Sequence, residues 1–303
     1  MATICITGGT GLIGTALSQY LSAKGHAIII LSRTAKPSST KGISYTAWNV
    51  EAGTIDSEAI TSSDYIIHLA GAGVADKRWS KKRKAEITNS RVQGGQLLVK
   101  ALTEIPNNVK AVICSSAIGW YGPDNGKSFV ETDPVYNDFL GETCRVWEDA
   151  TEPVKQLGKR LVKLRTGIVL SNDGGALKEF KNPLRFGLAT ILGSGKQMIS
   201  WIHVDDLCRM YEEAIQNEQL NEIYNAVAPN PVTNKDLTVA LAKKMRGNTF
   251  ITIPVPSFVL KIVLGELSIE VLKSATVSSA KIQNAGFQFL YPTIDAAFNE
   301  LIS

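Results

Sequence analysis

Seven residues near the start of the chain, Gly8-Gly9-Thr10-Gly11-Leu12-Ile13-Gly14, carry the clearest chemical signal in the sequence. Gly9, Gly11 and Gly14 fit G-x-G-x-x-G, and Gly8, Gly11 and Gly14 fit G-x-x-G-x-x-G. The apolar run Ile4-Cys5-Ile6-Thr7 leads into them and an apolar helical pattern follows. In that setting the first glycine permits a tight turn out of a strand. The middle one lets a pyrophosphate approach the backbone, and the last lets the helix pack closely on the strand. The helix start then offers unpaired N–H groups and a partial positive charge to phosphates. The chemistry implied is dinucleotide binding. The alternative is a glycine-rich turn without a ligand, and the flanking strand and helix weigh against it.

The end of the next apolar run decides which dinucleotide. NAD sites usually place Asp or Glu there to hold the ribose hydroxyls. This chain has Ser32-Arg33, with Lys36 close behind. No carboxylate repels a 2′-phosphate, and Arg33 can grip one through planar, charge-assisted contacts. The expected cofactor is therefore NADP(H), with NAD(H) the less favoured choice and a solvated surface Arg33 the bland reading. Further on, His68-Leu69-Ala70-Gly71 ends another apolar run. Leu69, Ala70 and Gly71 are small enough in sum for cofactor ribose to lie against backbone. His68, inside the run, reads as a packed core histidine rather than a base.

The elements that must position these residues follow from periodicity. Strands are expected at Thr3–Thr7, Ala27–Leu31, Ile43–Trp48, Tyr65–Ala70, Lys110–Ser115, Arg160–Leu170 and Ile223–Val227. Helices are expected at Leu12–Lys24 (closed by Gly25), Ser80–Thr103, within Asp138–Lys155 (ended near Pro153), Ala176–Gly187, Asp205–Asn217 (with Asp205 as N-cap), Asn234–Arg246 and Ser257–Leu264. Gly187–Gly195 reads as a loop, and the tail from Leu267 as mostly helical with a turn at Gly286. Strands alternating with helices predict a doubly wound parallel sheet. Residues 1–170 would form most of it, with strands also contributed by later segments. Residues 171–303 would form a smaller α/β substrate lobe with a helical C-terminal part from about 250.

The first half resembles the short-chain dehydrogenase/reductase superfamily in its extended, nucleotide-sugar-epimerase-like branch. The residues that carry this are the glycine loop, His68-Leu69-Ala70-Gly71, Ser115-Ser116-Ala117-Ile118-Gly119-Trp120-Tyr121-Gly122 and Trp201-Ile202-His203-Val204-Asp205-Asp206. Ala75-Asp76-Lys77-Arg78-Trp79, Ser90-Arg91, Gly193–Gln197, Ala226–Pro229, Gly265-Glu266 and Ala285-Gly286-Phe287 narrow it. They resemble the YfcH-like NAD-dependent epimerase/dehydratase family with its own C-terminal domain. The resemblance implies a Rossmann-type sheet. It also implies cofactor contacts from the glycine loop, Ser32, Arg33, Leu69, Ala70, Ser115, and the helix carrying Glu86 and Arg91.

One departure is chemical. The branch uses a Ser or Thr with a Tyr and a Lys spaced Y-x-x-x-K. Ser116, or Ser115, stands where the serine belongs. The helix that should carry the pair reads Phe139-Leu140-Gly141-Glu142-Thr143-Cys144, so Leu140 and Cys144 occupy approximately those places. A positioned acid–base group is worth roughly 10²- to 10⁴-fold in rate. Tyr121 is the nearest phenol and the candidate proton donor beside Ser116, with Glu142 and Cys144 weaker candidates. The expectation is an NADP(H)-binding, epimerase-like oxidoreductase with a non-standard acid–base group. The alternative is a binding or sensing protein without redox turnover.

The remaining numbers set bounds. The 303 residues are 44% hydrophobic and 20% charged, with a net charge of +4. That is ordinary globular composition and does not by itself point to nucleic acid. The basic run Lys77-Arg78-Trp79-Ser80-Lys81-Lys82-Arg83-Lys84 reads as a solvated loop and first helix turn near an anionic cofactor or substrate, with a nucleic-acid patch as the sharper alternative. Cys5, Cys114, Cys144 and Cys208 form no C-x-x-C and read as buried thiols in a reducing compartment; no metal site is expected. No signal peptide is evident, and no apolar run reaches the roughly 18 to 20 residues of a membrane helix. Val255–Leu272 comes nearest, interrupted by Lys261, Glu266 and Glu270. A cytoplasmic monomer or homodimer is expected, acting on a small molecule without nucleic-acid or membrane partners. Arg185 and Lys196 are candidate contacts for an anionic substrate. Trp201-Ile202-His203 is read as packing the second lobe.

Overall fold

A computed structural model describes residues 1–302. The central sheet takes β1 (Thr3–Thr7), β2 (Ala27–Ser32), β3 (Ile43–Asn49), β4 (Thr54–Ile55), β5 (Tyr65–His68), β6 (Ala111–Ala117) and β7 (Arg160–Thr166) from the first half. The smaller lobe contains β8 (Ile168–Leu170), β9 (Leu188–Leu192), β10 (Met198–Ile199), β11 (Trp201–His203), β13 (Val232–Thr233) and β14 (Ile251–Val255). Within that stretch of chain, β12 (Ile223–Ala226) returns to the central sheet. Its order is β12-β7-β6-β5-β1-β2-β3-β4, with every pair parallel except β3 with β4. The fold is mixed α/β and Rossmann-like.

Period-2 alternation divides each central strand between two layers. Ile4, Ile6, Ile28, Ile30, Ile67, Ile113 and Val162 face α1 (Leu12–Ala23) and, from the second half, the helix Val204–Gln216. Cys5, Leu31, Ile66, Val112, Cys114 and Leu161 face the opposite way. There they meet α2 (Ser57–Thr61) and α3 (Lys81–Glu104), with α4 (Phe139–Thr151) packed beside α3. The four cysteines are buried and unpaired.

The lobe is built on α5 (Gly175–Leu184) and α7 (Asn234–Arg246), while α6 (Val204–Gln216) lies on the central sheet beside α1. The chain ends with α8 (Ser257–Leu264), α9 (Ser268–Leu272), α10 (Ala280–Asn284) and α11 (Ile294–Leu301). Trp201 is buried among Leu177, Leu237, Leu241 and Phe298, as the lobe-packing expectation required. Three local expectations need correction. Residues 188–192 are strand β9 rather than loop, because β14 pairs with them from some sixty residues downstream. Arg160–Leu170 is two strands. At Gly167 a Cβ would lie 2.6 Å from the Ser200 carbonyl oxygen, and beyond it β8 leaves the sheet to pair with β11. His203, not Asp205, caps α6: its Nδ1 accepts the Asp205 N–H at 3.1 Å. The helix within Asp138–Lys155 runs over Phe139–Thr151 and ends beside Pro153, as expected, with a 3-10 turn over Glu152–Leu157.

The C-terminal segment is sewn onto the rest by two carboxylates, the buried Asp206 and the half-buried Asp124. Asp206 accepts N–H groups from Leu290 at 2.8 Å and Tyr291 at 2.9 Å, and is paired with Arg209. Asp124 accepts the Thr276 N–H and the Ser274 hydroxyl.

Candidate functional site

The glycine loop turns from β1 into α1 at the C-terminal edge of the sheet. Gly8 has φ +70°, and a Cβ there would lie 2.8 Å from the Ala70 nitrogen. At Gly14 a Cβ would lie 2.2 Å from the Gly8 oxygen and 2.6 Å from Gly9 Cα. These contacts admit only glycine, whereas at Gly11 the nearest atom would be 3.4 Å away. Gly11 is the N-cap of α1, no side chain caps the helix, and its first turn holds no acidic residue. An anion therefore meets backbone donors and no opposing charge. Thr10 is exposed and Leu12 and Ile13 are half-buried at the same edge.

Thr7 locks this loop to the end of β5. Its Oγ1 accepts the N–H groups of Leu69 and Ala70, each at 3.2 Å, and so donates its own proton to His68 Nδ1 at 2.8 Å. Burial lowers the His68 pKa to about 4, with the Arg91 charge adding to the effect. His68 is thus a neutral core side chain, as expected of a packed histidine.

Arg33 is exposed at the end of β2 and enters no ion pair among the described residues. Ser32 turns its hydroxyl to the Thr34 carbonyl at 2.6 Å, and Lys36 lies over the Tyr45 ring. Glu86 is exposed and paired with Arg83 at 2.8 Å, a hydrogen bond that lowers its pKa. Arg91 is different. It is buried, rests on the Trp147 ring at 4.7 Å and crosses Gly71, where a Cβ would lie 3.1 Å from its Cζ. Nη1 donates to the carbonyls of Ala72 and Ile87, both at 2.9 Å, and no carboxylate neutralises it among the described residues. Burying an uncompensated cation is costly unless a ligand supplies the counter-charge.

The two hydroxyls expected to do chemistry point into a closed network. Ser116 donates to Glu148 Oε1 at 2.7 Å. Glu148 also receives Arg165 Nε at 2.8 Å and Nη2 at 3.1 Å, and both partners are nearly inaccessible, at 5% and 1%. The Tyr121 hydroxyl donates to Asn225 Oδ1 at 2.7 Å and accepts from Arg165 Nη1 at 3.2 Å. Burial pushes the Tyr121 pKa up to about 12 against the Arg165 charge. Ser115, half-buried on the other face of β6, makes a 3.5 Å contact with the Ser116 carbonyl and faces the buried Tyr211 hydroxyl. The other candidates are no freer. Burial pushes Cys144 up to about 12, and Glu142 is held by Arg145 on the surface. Arg185 and Lys196, both exposed, lie beyond opposite ends of β9 and are not brought together.

Sequence reasoning missed the Arg165–Glu148 pair. Its signal was available: Lys163 and Arg165 are cations inside a strand of buried type, where a charge needs a partner. A trio of His203, Asp205 and Glu300 lies close enough to hold a cation, but His203 Nδ1 is the helix cap and Nε2 is 3.0 Å from Glu300.

A dinucleotide fold with this loop, this strand order and a small C-terminal lobe defines a class, and the comparisons agree. The family model described as NAD dependent epimerase/dehydratase family matches residues 4–139, and one described as a domain of unknown function (DUF1731) matches residues 255–301. The chain belongs to this epimerase family. The epimerase family protein SAR0825 of Staphylococcus aureus is 36% identical over 309 residues, covering 100% of both chains. Mb2239 of Mycobacterium bovis is 35% identical over 298 residues, covering 98% of this chain and 96% of its own. The crystal structure of human epimerase family protein SDR39U1 with NADPH superposes with a TM-score of 0.90 at 31% identity, over 99% of each chain. A UDP-N-acetylglucosamine 4-epimerase from Bacillus cereus, 18% identical with a TM-score of 0.78, shares the fold.

Proposed function

We propose that this chain is an NADP(H)-binding, epimerase-like oxidoreductase. Its pyrophosphate site would be the loop Gly8–Gly14 and its 2′-phosphate anchor Arg33, with Arg91 and the Leu69–Gly71 backbone lining the crevice. The nicotinamide, when bound, supplies hydride exchange. The residues fit such a group: the cradle at Gly8 and Gly14 leaves no room for side chains, the helix start is uncapped, and Arg91 lacks a counter-charge. The observation that carries NADP over NAD is the unpaired, exposed Arg33 at the end of β2, where no carboxylate stands. The human relative described with NADPH supports it. A small-molecule substrate would lie between the sheet edge and the lobe.

A second reading, binding without turnover, is favoured by one observation: the hydroxyls of Ser116 and Tyr121 are both committed inside the protein. Titration by nicotinamide fluorescence tests the cofactor. Arg33→Ala should weaken NADPH by about 10- to 100-fold, the scale of one or two charge-assisted hydrogen bonds, and leave NADH unchanged. Equal weakening of both refutes the 2′-phosphate role, and no binding of either refutes the cofactor. NADPH oxidation across a panel of carbonyl and nucleotide-sugar substrates separates the two readings; tight binding with no turnover leaves the second.

A further inference from the structure

Two oddities of the sequence are not used by the cofactor site proposed above: the exposed cations of the basic run Lys77–Lys84 and the apolar run Val255–Leu272. The structure brings them together on one surface. Gly265, at the end of α8, lies under the Arg78 guanidinium, where a Cβ would be 3.1 Å from Nη2. Glu266 is paired with Lys84.

Much of the apolar run is unburied. Phe258 is 64% exposed, Ile262 69%, Val263 60% and Ile269 60%. Ile251 and Ile253 of β14 continue the exposed apolar surface toward Phe186. Only isolated apolar side chains are normally left in water, so a contiguous set marks a contact surface. On the basic side, Lys77, Arg78, Lys81 and Lys82 are exposed and enter no ion pair among the described residues. The nearby acids are already used: Asp76 and Glu86 by Arg83, Glu266 by Lys84, and Glu270 by Lys273. Helix α8, Ser257–Leu264, contains no acid and one cation, Lys261.

We propose that this surface docks on an anionic lipid bilayer, with α8 lying in the interface and the 77–84 segment against the headgroups. The two halves ask for the same partner. Phe, Ile and Val side chains beside unpaired cations suit acyl chains beneath a negative surface. A nucleic acid would satisfy the cations and leave Phe258, Ile262 and Ile269 in water. A second copy of this chain would bring two unneutralised basic segments together. Pairing along β14 is further disfavoured by Pro254, which lacks an N–H on an edge strand. Lying on a bilayer does not need the uninterrupted length that spanning one does, so Lys261, Glu266 and Glu270 are no obstacle.

Vesicle co-sedimentation tests this with the full chain, on phosphatidylcholine alone and on phosphatidylcholine with 30% phosphatidylglycerol. Binding should appear only on the anionic vesicles and weaken with salt. Phe258→Ser with Ile262→Ser should abolish it. Gln at Lys77, Arg78, Lys81 and Lys82 should reduce partitioning about 10-fold or more, given the attraction of each cation to an anionic surface. Both variants alter exposed residues, and an unchanged melting temperature would show that they fold. Three results overturn the proposal: no sedimentation with anionic vesicles, equal binding by the Phe258/Ile262 variant, or a concentration-dependent dimer abolished by that variant without vesicle binding. Duplex DNA bound through the basic run, without vesicle binding, overturns it as well.

Discussion

Removing Glu148 should expose how much the network beneath the sheet edge contributes. Glu148→Ala deletes both hydrogen bonds to Arg165 and the acceptor of the Ser116 proton. Arg165 keeps its place over the Trp120 ring at 3.7 Å and its bonds to Tyr121 and the Glu131 carbonyl, but its charge is then buried without a carboxylate. Breaking one side of such a pair costs about 3–5 kcal/mol. For a chain of this size about 2 °C accompanies each kcal/mol, so the melting temperature of the cofactor-free protein should fall by about 6–10 °C. Replacing both partners, Glu148→Leu with Arg165→Met, removes the stranded charge. It should recover most of the loss, because a buried ion pair is often no better than apolar groups of similar volume. Differential scanning calorimetry on the two singles and the double closes the cycle. A fall below about 2 °C in Glu148→Ala, or a double variant no more stable than the singles combined, refutes the reasoning.

His68 predicts an acid-sensitive window. Its folded pKa is lowered from 6.5 to about 4, so below pH 6.5 the unfolded chain takes up a proton that the folded chain refuses. Stability should fall from pH 6.5 down to about 4, by up to about 3 kcal/mol from this group; urea titrations of His68→Gln should show a shallower slope than the parent across that window. Gly14→Ala places a Cβ 2.2 Å from the Gly8 oxygen, so the loop must open and NADPH affinity should drop by about 10-fold or more, read by fluorescence titration. Asp206→Ala leaves the Leu290 and Tyr291 N–H groups without their acceptor. It should cost about 2–4 kcal/mol and raise amide exchange at those two residues before the rest of the lobe, as seen by hydrogen–deuterium exchange.

Some of this was legible because its cause is local. The turn from Thr7 into Leu12 is written in glycines whose space is filled by atoms a few residues away. Helix α7 runs over Asn234–Arg246 as periodicity indicates, because Thr233 caps its start and Gly247 ends it. Helix α8 likewise starts after Pro256 and stops at Gly265. What was not legible depends on distant partners. Strand β9 exists because β14 lies beside it. Between β7 and β8 stands Gly167, where Ser200 and Val227 fill the space a side chain would take. The same holds for the site: nothing near Ser116 in the sequence shows that Glu148 takes its proton, and nothing near Tyr121 shows that Asn225 and Arg165 enclose its hydroxyl.

The position of β12 has a consequence for how the protein is made. This strand, Ile223–Ala226, completes the sheet beside β7, and α6 covers the sheet face formed by Ile113, Val162 and their neighbours. A nascent chain that has reached Thr166 therefore has seven strands, an open edge at β7 and an uncovered apolar face. At ribosomal speed the roughly 60 residues that close both take about 3–12 s. During that interval Leu161, Val162 and Leu164 lie on an edge strand able to pair with another chain. Of the cations along that strand, Lys163 and Arg165 find Glu152 and Glu148 already made, whereas Arg160 keeps its charge on the open edge until the carbonyls of Ala214, Ile215 and Leu220 arrive.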